Sequence, residues 1–381
     1  MSTLEDGLDV DVPGYERALA EWLGERRRHS GVSKEIGYDF DERVADARVL
    51  QHDLFAAGWN RYGWPVELGG LGGSWRHRAV LWEQIARAGV AEPTIFEHVE
   101  ILAPMVAKHG HPDVAARLIP QLLDGSAAWS QGFSEPDAGS DLANLRTTGN
   151  VDGDVLIVRG RKIWTSWSKY ARYCIALVRT GPADGRHHGL TMVVIDLESS
   201  GVTVEPVRQA NGSWELAEVL FDDVVVPIEN IIGGLGGGWA MALEVLTCER
   251  STLAWMRHCF MHARLDSLRH ELGRDDEDKL GDVALDMLAL RASALNALID
   301  VNTGSGATEE SSFVKLLMTS AEQSLYDLAQ SARSADLAFG RDVFADELRH
   351  EYFFSRIVTV YGGSRQMQLN TIAKRVLGMP T

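Results

Sequence analysis

The chain lacks most of what would mark a secreted, membrane or nucleic-acid-binding protein. Its three cysteines, Cys174, Cys248 and Cys259, are too few and too scattered for a disulfide framework, and no two have Cys-x-x-Cys spacing. A reducing cytosol is the compartment they imply. No apolar run approaches the roughly 18 residues needed to span a bilayer. The first residues, MSTLEDGLDVDVPG, are acidic and do not show the charged-then-apolar order of a signal peptide. Positive charge is scarce: 37 Lys and Arg stand against 54 Asp and Glu, a formal net charge of −17. That balance argues against non-specific nucleic-acid binding, and an anionic ligand must find a local basic patch. Also missing are the Gly-x-Ser-x-Gly elbow of serine hydrolases, the Gly-x-Gly-x-x-Gly phosphate loop and the His-Glu-x-x-His zinc pattern. There is no internal repeat and no low-complexity linker.

What remains is an ordinary globular composition, 45% hydrophobic and 24% charged over 381 residues. That length suffices for two or three domains. Periodicity divides it. Residues 1–125 carry apolar side chains at spacings of three and four, as in YERALAEWLGERRR and PDVAARLIPQLLDG, and predict a helical domain. Arg26, Arg27 and Arg28 read as its solvated helix end. From 126 to 232 the period shortens. DVLIVRGRKIWTS, YCIALVRT, LTMVVIDLES and AEVLFDDVVV are β-branched runs between turn signals, predicting an antiparallel β domain, a barrel or sandwich. Helices return over 233–381, enough for a four-helix bundle, with NTGSGATEESS as a polar loop. The fold class is α+β.

EVLTCERSTLAW, residues 244–255, places Glu249 within a greasy helical stretch. Its helical neighbours are Val245, Leu246, Thr252, Leu253 and Met256, and four of the five are apolar. A glutamate on a buried stripe is either paired with an arginine or is a carboxylate of raised proton affinity, as a general base needs. WSQGFSEPDAGSDLANLRTT runs from an aromatic-polar strand into a Pro and Gly turn, where the backbone can approach a ligand closely. About 20 residues on, Trp164 and Ser166 lie two apart on a strand, hence on one face. A broad ring beside a hydroxyl suits a planar heterocycle. The glycine-rich IIGGLGGGWAM reads as a flexible lead into the helix of Glu249. His258 and His262, at i and i+4 in RHCFMHAR, read as packing, with no metal expected; His187 and His188 read as solvent-exposed.

Taken together, these stretches resemble the acyl-CoA dehydrogenase family. GWPVELGGLGG is similar to its WPxExGG loop, SEPDAGSDLANLRTT to its central signature and RGRKIWTS to the strand that follows. GGGWAMALEVLTCER resembles the start of its first C-terminal helix, and YGGSRQMQLNTIAKRVLG its C-terminal signature. The resemblance implies the family's α–β–α fold, bound FAD and removal of two hydrogens from an acyl-CoA. A carboxylate takes the α-proton and flavin N5 the β-hydride. It also implies an electron-transfer-flavoprotein type of acceptor and a homo- or hetero-tetramer. By motif, Gln131, Phe133 and Ser134 line the flavin, Trp164 stacks on it and Ser166 bonds near N5. Gly139 and Ser140 lie along the cofactor and the CoA arm, and Ser364 and Gln366 are further cofactor contacts. Arg250 and Tyr361 fall beside the substrate.

Most members of the family carry the base in a Tyr-Glu-Gly loop; here the sequence is Tyr361-Gly362-Gly363-Ser364. A minority place it in a Glu-Arg pair on the preceding helix, which Glu249-Arg250 matches. The implied roles are then Glu249 as base and the Gly362 N–H as a donor to the thioester carbonyl. Two family motifs, an Arg-x-x-Phe-Gly run and a Gly-Gly-x-Gly loop, are absent. The resemblance is nearest to a bacterial branch in which unlike chains share FAD and act on bulky, steroid-derived thioesters. The alternatives are a non-catalytic or FAD-sharing partner subunit, and an oxidase or flavin monooxygenase on the same fold.

Overall fold

The computed structural model describes residues 11–29, 39–182, 184–270, 272, 276–304 and 311–380. The chain start before Asp11, the side chains of Arg27 and Arg28, and most of the NTGSGATEESS loop lie outside the described residues. Arg26 is not merely solvated, because its Nε donates to Asp53 at 2.8 Å.

Among the described residues, six α-helices come first: α1 Val12–His29, α2 Phe40–Ala56, α3 Trp75–Arg87, α4 His98–Ile101, α5 Ala103–His109 and α6 Pro112–Leu123. Eight strands follow: β1 Ala128–Gly132, β2 Thr148–Asp152, β3 Val155–Ser166, β4 Ala171–Arg179, β5 Leu190–Asp196, β6 Val202–Val207, β7 Leu216–Pro227 and β8 Ile231–Ile232. Helices α7 Gly238–Glu249, α8 Thr252–Leu268, α9 Glu277–Thr303, α10 Ser311–Ala332, α11 Ser334–Phe339, α12 Val343–Phe354 and α13 Arg365–Thr371 complete the chain.

The strands form one sheet in the order β6-β7-β3-β1-β4-β5-β8, with β2 against β3 and β4. Leu156 and Val158 of β3 share a core with Cys174 and Ala176 of β4, Val193 and Ile195 of β5, and Val219 and Phe221 of β7. One face of the sheet is therefore rolled around its own apolar core. The pairing is not antiparallel throughout: β1 is antiparallel to β3 but parallel to β4. A tight hairpin turn would force antiparallel neighbours. The long segment 133–147 that leaves β1 imposes no such constraint.

The other face of β4 and β5 positions the site. Ile175, Leu177, Met192 and Val194 pack in one cluster with Met241, Ala242 and Val245 of α7. Helices α8, α9, α10 and α12 build the second large core, joined by α3 through Ala79 and Ala86. Two helices of this layer are shorter than the apolar periodicity of their sequence. The stretch 239–272 is not one helix, for it breaks at Arg250-Ser251. There Ser251 Oγ donates to the Thr247 carbonyl (2.8 Å), and Thr252 Oγ1 to the carbonyls of Cys248 and Glu100 (both 2.9 Å). Side-chain hydroxyls that take helix carbonyls compete with helix continuation. Helix α12 stops at Phe354, and turns lead on to Gly362.

Candidate active site

Glu249 is the last residue of α7, beside the break. It is 8% exposed, with Val245, Leu253 and Met256 buried around it. Burial raises its carboxyl above the ordinary carboxylate range, and the charges of Lys315 and Arg250 only partly offset this. Its place at a helix C-terminus, where the backbone dipole is negative, acts in the same direction.

Facing it is the turn at Tyr361-Gly362-Gly363. Gly362 has φ +62°, and a Cβ built on it would lie 2.4 Å from Glu249 Oε1. Only glycine allows that carboxylate to reach the turn. Arg250 turns to the same place; its Nε and Nη2 donate to the Gly362 carbonyl at 3.3 and 3.1 Å. Gln368 Nε2 donates to the Gly363 carbonyl at 2.9 Å. The turn is thus held by its carbonyls. Lys315, on α10, completes the group. It is 2% exposed, its Nζ has no hydrogen-bond partner, and it stands 3.8 Å from the Tyr361 ring centroid. Burial pulls its pKa down to about 8, against the pull of the nearby carboxylates.

The expected planar-ligand residues gather on the sheet. Gln131 on β1 is the register partner of Ser166 on β3, and both are half-buried. Trp164 is 55% exposed, and no aromatic or cationic side chain among the described residues covers it. It has φ +58°, rare for a bulky residue, at a register shift between Lys162 and Thr165. The irregularity re-aims a side chain outwards. Thr165 between the pair is buried, so Trp164 and Ser166 both lie on the open side, although the strand is not regular. An uncovered indole held off the sheet beside two polar side chains fits a planar heterocycle.

The turn after β1 is anchored from below. Lys162 Nζ lies 2.7 Å from Glu135 Oε1 and 3.1 Å from the Phe133 carbonyl, and the N–H groups of Arg146 and Thr147 donate to Glu135. Phe133 is buried, and the Ser134 carbonyl accepts from the Ile163 N–H at 2.9 Å. Gly139 and Ser140 are exposed, and nothing lies within 4 Å of a Cβ on Gly139. In the protein alone, then, no protein atom makes glycine necessary at 139.

Other expectations fare differently. Ser364 caps α13, its Oγ accepting from the Met367 N–H at 3.3 Å. Gln366 is exposed, and the buried glutamine of the segment is Gln368. His187 is not free in solvent but packs on Trp239, ring centroids 4.2 Å apart. His258 is buried and stacks with His262. Neither the ion pair of Lys162 with Glu135 nor the placing of Lys315 near Glu249 was anticipated. The signal for Lys315 was available: Lys315, Met318, Thr319 and Glu322 fall at helical spacing on one stripe, and all are buried.

Known proteins match the chain over all three of its layers. The acyl-CoA dehydrogenase N-terminal domain matches residues 33–126, the middle domain 130–224 and the C-terminal domain 236–377. The acyl-CoA dehydrogenase IpdE1 of Mycolicibacterium smegmatis is 36% identical, covering 97% of this chain and 98% of its own. IpdE1 of Mycobacterium tuberculosis is 35% identical with the same coverage. Among solved structures, the Tcur3481-Tcur3483 steroid ACAD superposes with a TM-score of 0.81 at 23% identity, covering 97% of each chain. The ChsE4-ChsE5 complex of Mycobacterium tuberculosis gives 0.78 at 24%, covering 98% of each. At these identities the superpositions speak for the fold. With all three domains matched in order, the chain belongs to the acyl-CoA dehydrogenase family.

Proposed function

We propose that the chain carries out FAD-dependent α,β-dehydrogenation of an acyl-CoA thioester, with Glu249 as the base. The observation that carries this reading is the meeting of Glu249 and Gly362: a buried carboxylate whose Oε1 lies where a side chain at 362 would stand. A thioester seated on the Gly362 N–H presents its α-carbon to that carboxylate. Polarisation of the carbonyl acidifies the α-proton, and Glu249, buried and of raised proton affinity, accepts it. FAD, when bound, supplies the acceptor for the β-hydride. Trp164 gives it a stacking face, Gln131 and Ser166 offer polar groups at its edge, and Phe133 and Ser134 shape the adjoining wall. Ser364 and Gln366 lie further along the cofactor, Gly139 and Ser140 leave room for the CoA arm, and Arg250 and Tyr361 border the acyl group.

The acyl group is bulky, in line with the solved structure of the same fold described as a steroid ACAD, the acceptor is of the electron-transfer-flavoprotein type, and the setting is cytosolic. No helix among the described residues is long and apolar enough to cross a membrane. The chain works in a tetramer. Absence of the Arg-x-x-Phe-Gly and Gly-Gly-x-Gly motifs favours one with an unlike chain that completes the FAD site. Purified with that partner, the protein should be yellow and should reduce an artificial electron acceptor in the presence of acyl-CoA. Glu249→Gln should keep the flavin spectrum and lose turnover by about a hundred- to ten-thousand-fold. Full turnover by that variant removes Glu249 from the role of base. Activity of the complex that survives it, with an unlike chain bound, assigns this chain to a partner subunit.

A further inference from the structure

Lys315 has a chemistry that the fold does not use. An ammonium carries three donors, and burying one without an acceptor is costly. Yet Nζ donates to no described atom, and no ion pair joins it to Glu249. A Cβ on Gly362 would stand 3.4 Å from Nζ and 2.4 Å from Glu249 Oε1. Carboxylate and ammonium therefore converge on one small volume in front of Gly362 without touching each other. Of the other charged groups around Lys315, the two arginines are engaged elsewhere, and Glu322 Oε2 is buried without a hydrogen-bond partner but does not accept from Nζ. Arg250 holds the Gly362 carbonyl, and Arg257 pairs with Glu92 at 3.0 Å and with Glu322 at 2.6 Å. Tyr361 offers Lys315 only its ring face.

We propose that Lys315 is a second electrophile of the reaction, donating from its ammonium to the thioester carbonyl oxygen beside the Gly362 N–H. This rests on the acyl-CoA reading of the site. The electron count closes. The α C–H bond breaks, its proton goes to Glu249, and its electron pair spreads onto the carbonyl oxygen as an enolate. That pair would then form the α,β double bond and restore the carbonyl as the β-hydride departs, the hydride acceptor being what FAD would supply when bound. During this sequence Glu249 becomes neutral. As Glu249 is neutralised, the negative charge in front of Gly362 passes from carboxylate to enolate, and the ammonium gains an acceptor that it lacks in the free protein. Donors fixed in advance where charge develops are the larger part of many rate enhancements.

Acetoacetyl-CoA tests this without turnover, because its acidic α-carbon ionises on binding and the enolate absorbs in the near ultraviolet. The flavin-loaded complex is titrated with it across pH, as wild type, Lys315→Met and Lys315→Gln. Wild type should hold the bound ligand at least tenfold more ionised than Lys315→Met at a given pH. Lys315→Gln, which keeps a donor without charge and stands in if the Met variant does not fold, should fall between. In turnover, kcat should drop about a hundredfold with KM little changed, the pattern of a donor used in the transition state. Equal ionisation in wild type and both variants overturns the role of Lys315 and leaves the dehydrogenase reading intact. A wild-type complex that binds acetoacetyl-CoA without ionising it, while Glu249→Gln turns over normally, overturns the reading itself.

Discussion

In the sheet, Lys162 is fully buried and closes on Glu135: its Nζ has a carboxylate at 2.7 Å and a carbonyl at 3.1 Å, and the carboxylate collects two backbone N–H groups. In the helical layer, Lys315 is about as deeply buried and lies near Glu249 without touching it, with no acceptor. Both couples are a lysine and a glutamate, and both are removed from water. In the first, burial pushes the Glu135 carboxyl up, and the Lys162 charge with its hydrogen bonds more than reverses this, holding it below the usual range. In the second, burial wins and the Glu249 carboxyl is raised. A closed couple is part of the fold. An open one keeps two perturbed groups ready for a third party, the usual mark of a reaction site.

Breaking the closed couple should have the largest effect. Lys162→Met leaves Glu135 buried without its cation, and loss of one partner of a buried pair costs about 3–5 kcal/mol. Denaturant unfolding of the purified chain should show a midpoint lowered to match. The loop after β1 should loosen too, since the same amine holds the Phe133 carbonyl. Should Lys162→Met unfold at the wild-type midpoint, the contrast between a structural and a functional couple disappears.

Glu249→Gln attacks the open couple, and its expected signature is the reverse. Turnover falls by orders of magnitude, as set out above. Stability should hold or rise slightly, because an amide of the same shape replaces a carboxyl that burial already disfavours as an anion. Thermal melting of the two proteins side by side gives the answer. A large loss of stability would place Glu249 among the structural pairs.

Gly362→Ala is a smaller and more local disturbance. At φ +62° an alanine costs about 1–2 kcal/mol. Its Cβ would also displace the Glu249 carboxylate from 2.4 Å. Because misplacement by about 1 Å can cost a hundredfold in rate, activity should suffer far more than folding. Gly363→Ala should lower activity less, since there the built Cβ meets Gln368 Nε2 and Arg250 Nη2, the ends of two flexible side chains, and not the base.

How much of this could be read from the chain differs between the same two regions. The three-layer order was legible because apolar spacing changes period twice, and a period is a property of consecutive residues. The break after Glu249 was not. Ser251 and Thr252 look like ordinary helix residues until the Glu100 carbonyl, on a helix some 150 positions earlier, is there to take the Thr252 hydroxyl. The alternation that put Trp164 and Ser166 on one face holds only through an irregularity that spacing could not reveal. Gln366 and Gln368 are two positions apart in one motif, and only the direction of α13 decides which is buried. The convergence of α7, α10 and the Tyr361-Gly362 turn is wholly tertiary. Neither the distance from Lys315 to Gly362 nor its lack of an acceptor exists before those elements pack.

The finest separation of the two couples is by pH, in stability and not in rate. Lys315 titrates in the folded protein at about 8, below its ordinary 10.5, because burial disfavours the ammonium. Between those values the unfolded chain still binds the proton and the native chain has released it. Stability therefore rises with pH through this window by the contribution of this one group. Below pH 8 both states are charged, and the native state bears the whole cost of burying the ammonium. The difference in unfolding free energy between Lys315→Met and wild type should then be greatest below pH 8, with the variant the more stable, and should shrink steadily towards pH 10.5. Glu135 behaves oppositely at the acid end. Its carboxyl is held low in the fold, so its stabilisation is complete above the ordinary carboxylate value and is lost as pH falls below it towards the native one. Lys162→Met should flatten that acid limb, and because burial also holds the Lys162 ammonium below its ordinary value, it changes the alkaline side as well. Parallel curves for Lys315→Met and wild type from pH 7 to 10.5 would mean that the ammonium finds an acceptor in the free protein, and the second couple would be closed after all.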